Sequence, residues 1–143
     1  MNIAIENRIT RVGVYGVATK DDKLLLIKQP KGPYAGKFDF PGGGIEFGES
    51  PEQTLAREFM EEVAMEFDSS FLYTNLTATL HVSATITSEP YLFFHIGMIY
   101  KITGCRSSTK QQKELQPFWI DPKILFQDNC SSLLWKYLTL KHT

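Results

Sequence analysis

A helix start marked three times over fixes the middle of this chain. Ser50 is placed as N-cap, Pro51 as the first helical residue and Gln53 as the returning member of a capping box, so a helix is expected from Pro51. A glycine-rich loop around Gly42, Gly43 and Gly44 feeds into it. At roughly 100° per residue, Leu55, Phe59 and Val63 fall on one apolar stripe with Ala56 beside it, and that stripe is expected to face a core.

Another sector of the same helix is acidic. Glu61 and Glu62 fall within about 60° of Glu58 on opposite sides, so three carboxylates share a narrow face. Like charges at this spacing cost a helix a few tenths of a kcal/mol per pair, and more where they are partly desolvated. Arg57 can offset one by reaching Glu61, four residues on. A hard divalent cation, which prefers oxygen ligands, is the simplest way to remove the rest. The same residues also suit a solvated helix face, and the glycines an ordinary turn. A calcium-buffering helix is disfavoured, because the alternating oxygen ligands of a calcium loop are missing.

The joint spacing is more specific than either part. Gly43, five residues, Glu49, seven residues and then Arg57-Glu58-Phe59-Met60-Glu61-Glu62 resembles the Nudix box. The resemblance departs at its end, where Ala64 and Met65 replace a glycine and an aliphatic residue. Alanine gives up the easy left-handed cap of glycine, at about 1 kcal/mol unless the helix continues. It removes no carboxylate.

What the resemblance implies can be stated residue by residue. The fold would be an α/β/α sandwich with a mixed central sheet. The activity would be metal-dependent hydrolysis of a diphosphate bond in a nucleoside diphosphate linked to another group. Glu58 and Glu62 would be principal ligands of Mg2+, or of Mn2+, with the Gly43 carbonyl contributing and Glu61 a further ligand or the base. Arg57 would orient a carboxylate, and Glu49 would hold the loop against the helix. Glu114, five residues before Trp119, matches an acidic residue that assists the metal or the base in many such proteins, though solvent exposure explains it as well. Because the box begins by Gly43, a compact MutT-like nucleoside triphosphate pyrophosphohydrolase is preferred. An ADP-ribose or nucleotide-sugar pyrophosphatase and a non-catalytic nucleotide-binding sensor are the alternatives.

Composition sets the outer bounds. A chain of 143 residues with 43% hydrophobic content is expected to form one domain over 1–143. Net charge is −1 with Lys and Arg scattered, which excludes a long nucleic-acid partner and leaves a small nucleotide. The first residues carry Glu6 and Arg8, and no later run reaches the about 20 apolar residues that span a bilayer. Cys105 and Cys130 lack metal or disulfide spacing, so a reduced, cytoplasmic chain is expected, as monomer or homodimer.

Along the chain, residues 9–19 and 23–28 read as a hairpin about Lys20-Asp21-Asp22, with Gly13 and Gly16 marking a bulge or a close ligand approach. The punctuated stretch 29–44 holds a short strand at Phe38-Asp39-Phe40. Its Tyr34 and Phe40 could stack on a base and its Lys37 meet phosphate. Residues 71–87 and 91–103 read as a second hairpin turning at Ser88-Glu89-Pro90. In those strands His81 and His95 suit hydrogen-bonded structural roles better than catalysis. Residues 104–113 read as a mobile polar loop, Trp119 as core, and Leu133, Leu134, Tyr137 and Leu138 as a last helix.

Overall fold

The computed structural model describes residues 7–140; Glu6, with the rest of 1–6, and 141–143 of the domain expected over 1–143 lie outside them. In chain order the strands are β1 (Asn7–Val17), β2 (Thr19–Lys20), β3 (Lys23–Lys28), β4 (Phe38–Asp39) and β5 (Gly42–Gly44), followed by helix α1 (Pro51–Val63). Then come β6 (Met65–Glu66), β7 (Ser69–Val82), β8 (Tyr91–Thr103), β9 (Arg106–Ser107), β10 (Phe118–Ile120) and helix α2 (Ser132–Thr139). Two 3-10 turns, Pro122–Ile124 and Gln127–Asn129, lead into α2.

The strands form a mixed sheet in the order β5-β1-β8-β7, a second sheet in the order β10-β3-β2 with β4 on β3, and a short β6-β9 ladder. The expected first hairpin is only partly formed. Thr19 and Lys20 fold back on Leu24 and Lys23 around Asp21 and Asp22, which both take positive φ (51° and 62°), as a two-residue hairpin turn requires. The long β1 instead runs parallel to β8 over its whole length, from Asn7 opposite Tyr91 to Val17 opposite Lys101. An eleven-residue strand finds in the thirteen-residue β8 a partner long enough to pair all of it, which the six-residue β3 cannot offer. The second hairpin is antiparallel as expected, but its ladder closes at Val82 opposite Tyr91, so the connection spans 83–90 rather than a tight turn at Ser88.

Alternation along the strands builds two cores. Val14, Leu25 and Ile27 pack toward Leu55, Phe59 and Val63 of α1. Tyr15, Leu24 and Leu26 pack toward Leu133, Leu134 and Tyr137 of α2. Helices therefore cover opposite faces of the strands, which is the α/β/α sandwich. Ala56 is exposed; the residue that completes the buried face of α1 is Thr54. Gly16 brings β1 close to α1, since a Cβ there would sit 2.6 Å from the Phe59 ring, and the Tyr15 ring lies over Gly13 in the same way. Both glycines serve close packing, and the register of β1 runs through them without a bulge.

The helix does not continue past Val63. Ala64 takes the left-handed conformation (φ 52°, ψ 50°), and its carbonyl accepts from the Ser108 N–H at 2.8 Å. An L-residue pays about 1–2 kcal/mol for that conformation. Ala64→Gly is therefore expected to gain about 0.5–1 kcal/mol after the added freedom of the unfolded chain is set against it. A melting temperature that fell would show that the alanine methyl contributes more packing than its conformation costs.

Candidate active site

The capping box is closed in both directions: Gln53 N–H donates to Ser50 Oγ at 3.1 Å and Ser50 N–H to Gln53 Oε1 at 2.9 Å. It sets the phase of α1 and so points Arg57, Glu58, Glu61 and Glu62 at the loop before the helix. Arg57 ties the two together. Its Nε and Nη2 donate to the Glu49 carboxylate at 2.7 and 2.9 Å, and its Nη1 to Glu58 at 2.9 Å and Glu61 at 3.2 Å. Glu49 also accepts from Thr54 Oγ1 at 2.9 Å. Hydrogen bonding to Arg57 holds the Glu49 carboxyl down to about 2, so this clasp stays ionised at any working pH.

Glu62 stands apart from the clasp. Its carboxylate accepts from the Gly42 N–H at 2.9 Å, and burial pushes its pKa up to about 8, with the charges of Glu58, Asp39 and Glu114 adding to the rise. Burial raises Glu58 as well, against the pull of Arg57. The Glu58 carboxyl group lies flat against Gly43, where a Cβ would come within 2.6 Å of it. Only glycine admits that approach. Glu114 arrives from the far side of the chain: its N–H donates to the Glu61 carbonyl at 3.1 Å, and the Leu115 N–H to the Glu62 carbonyl at 2.8 Å. Its exposed carboxylate is felt at both Glu58 and Glu62.

These residues fit a hard cation by their chemistry. Buried carboxyls raised by burial and by one another favour any positive charge that replaces their protons, and all the donors are oxygen. Among the described residues no three such groups yet converge on one point, because Arg57 draws Glu58 and Glu61 toward itself while Glu62 turns to Gly42.

The stretch 29–44 divides differently from expectation. Phe40 is a core residue, 1% exposed, with its ring edge-on to Tyr137 at 5.2 Å, so no ligand can stack on it. Lys37 is half-buried and lines a hollow beside Cys130 and Trp135 on the α2 side, away from Tyr34. Tyr34 lines a separate cleft of about 250 Å³ with Arg11, Gln29, Asp39, Phe93 and His95. This cleft adjoins the carboxylates: Tyr15 in its floor stands opposite Gly42 in the sheet, and the Gly42 N–H meets the Glu62 carboxylate at 2.9 Å. His95 is buried and bonded at both ring nitrogens, and burial holds its pKa down to about 4. Asp39 is a residue the sequence flags only as a charge between two phenylalanines. It is 2% exposed, accepts from Ser131, Gln29 and the Phe40 N–H, and is raised by burial to about 6. The polar loop after β8 is pinned rather than mobile: Arg106 pairs with Asp68 at 2.6 Å, Lys110 with Glu66 at 2.7 Å, and β9 pairs with β6.

The model of the NUDIX domain matches residues 7–125. The chain belongs to the Nudix family. Over 85% of its length this Nudix hydrolase is 32% identical to the nucleoside triphosphatase NudI of Escherichia coli, covering 89% of that protein. It is 44% identical over 54 residues to an ADP-ribose pyrophosphatase of Methanocaldococcus jannaschii, a match spanning 38% of this chain and 32% of that one. Among solved structures it resembles a MutT NUDIX hydrolase of Burkholderia pseudomallei, with a TM-score of 0.66 over 91% of this chain and 96% of that one at 20% identity, a likeness of fold. Nudix hydrolases generally use divalent metal ions. No helix among the described residues of this one is long and apolar enough to cross a membrane.

Proposed function

We propose that this Nudix hydrolase is a nucleoside triphosphate pyrophosphohydrolase, releasing a nucleoside monophosphate and pyrophosphate from a triphosphate and water. The observation that carries the reading is Glu62, a half-buried carboxyl that Arg57 does not neutralise, set beside Glu58 over Gly43. Glu58, Glu61, Glu62 and the Gly43 carbonyl would hold Mg2+ or Mn2+. That ion supplies positive charge against the phosphate oxygens and acidifies water. Arg57 keeps the glutamates in place through Glu49, so the loop and helix approach the polyphosphate as one rigid piece. Glu61, a further ligand or the base, or Glu114, both on the solvent side of the cluster, would take the proton of the attacking water as its oxygen joins phosphorus and the bond to the pyrophosphate leaving group breaks.

The triphosphate preference is supported by the NudI relative, which aligns over most of both chains. The shorter match to an ADP-ribose pyrophosphatase supports the second reading, a nucleotide-sugar substrate. Phosphate and pyrophosphate release would be measured over nucleoside triphosphates, ADP-ribose and dinucleoside polyphosphates, with Mg2+, with Mn2+ and with chelator. Metal-dependent pyrophosphate release from triphosphates is the expected result. Cleavage of ADP-ribose alone would move the assignment to the second reading, and silence across the panel would leave a nucleotide-binding protein without turnover.

A further inference from the structure

The cleft beside the carboxylates contains a hydrogen-bond chain whose direction is fixed. Tyr15 Oη lies 2.6 Å from His95 Nε2 and Tyr34 Oη 3.1 Å from His95 Nδ1. A neutral imidazole has one N–H and one lone pair, so one tyrosine donates to it and the other accepts from it. The 2.6 Å contact has the length of a hydroxyl donating and the 3.1 Å contact that of an N–H donating, so Tyr15, 4% exposed, donates its proton to Nε2. The ring proton is then on Nδ1 and is donated to Tyr34. The Tyr34 hydroxyl, on a residue only 6% exposed, is left with its proton to offer to the cleft that it lines, and that proton needs an acceptor there.

A second group in the cleft is oriented by the same reasoning. Gln29 Nε2 donates to Asp39 Oδ2 at 3.1 Å, which fixes the amide and leaves Gln29 Oε1 as a free acceptor. One O–H donor and one C=O acceptor match the O6 and N1–H edge of guanine, or the O4 and N3–H edge of uracil. An amino base sets its NH2 donor against the donor of Tyr34 and its bare ring nitrogen against the acceptor of Gln29. Arg11 at the rim of the cleft, its guanidinium 5.9 Å from the Phe93 ring centre, adds further donors and favours carbonyl oxygens.

Resting on the nucleotide reading above, we infer that this cleft selects a base with a keto oxygen over one with an amino group, and that Tyr34 is the residue that determines the choice.

The test is direct titration of GMP, UMP, AMP and CMP into the protein with Mg2+, for the wild type, Tyr34→Phe and Arg11→Met. GMP and UMP are expected to bind about 10-fold more tightly than AMP and CMP. Tyr34→Phe should remove about 10-fold of affinity for the keto pair and change the amino pair by less than about 2-fold. Equal affinity for all four, no binding of any, or an unchanged preference in a folded Tyr34→Phe would overturn the inference. If Tyr34→Phe proves unstable, Arg11→Met decides on its own. Its exposed side chain can be replaced without disturbing the core; the keto preference should survive there, and its complete loss would make Arg11 the determining residue and overturn the inference. Monophosphates need no bond cleavage to bind. A keto preference in a protein that hydrolyses no triphosphate would therefore sink the pyrophosphohydrolase reading alone, and triphosphate hydrolysis without base preference would sink this inference alone.

Discussion

Glu62→Gln lowers turnover by at least about 100-fold and leaves the fold intact. Glutamine has the shape of glutamate, and its amide oxygen can still accept from the Gly42 N–H, so the loop stays docked on α1. What disappears is the negative charge on Glu62, which of Glu58, Glu61 and Glu62 is the one that Arg57 does not touch. The same substitution has an opposite effect on stability without metal. The Glu62 pKa is raised from 4.5 to about 8, so its contribution to folding is fully present below about pH 4.5 and is lost as pH rises through about 8. The metal-free wild type should therefore melt progressively lower between those values, and Asp39, raised to about 6, adds to the slope. Glu62→Gln should flatten that slope and, at pH 8 without metal, melt no lower than the wild type. Steady-state kinetics with Mg2+ and melting curves across pH check both halves. Near-normal turnover would remove Glu62 from the proposed ligands.

Phe59→Ala costs about 3–5 kcal/mol, a large share of the about 5–15 kcal/mol that holds a domain folded. Phe59 is fully buried, with its ring edge-on to Phe67 at 5.4 Å and its tip pressed on the bare backbone of Gly16. Gly16 has no side chain that could swing into the space, and β1 is held in the sheet by β5 and β8 on its two edges. The site cannot collapse, which places the cost at the upper end of the range. A fall in melting temperature of about 10–20 °C is expected. An unchanged value would mean that α1 turns a different face inward.

What could be read in the sequence was local in origin. The capping box, the Leu55-Phe59-Val63 stripe and the reach of Arg57 to Glu61 depend on neighbours within one or two helical turns, and all three stand in the structure. What could not be read depends on partners far along the chain. Nothing near β1 says that it will run parallel to a strand eighty residues away, and a glycine does not say whether the atom it admits belongs to a ligand, to Phe59 or to Tyr15. Phe40 has the composition of a base platform but sits where α2 closes over it. The Tyr15–His95–Tyr34 chain joins three elements, and only their assembly gives it a direction.

The contact between the end of α1 and the segment at Glu114 has a consequence for how such a site can change over generations. The carbonyls of Glu61, Glu62 and Ala64 are met by the amides of Glu114, Leu115 and Ser108, and these three links are main chain to main chain. Side-chain identity is irrelevant to such links, proline excepted. Residues 111–113 are thus free to drift in sequence, and even in number, while the glutamate at the far end keeps its place beside the other three. A lineage could retune what the loop touches without rebuilding the acidic cluster.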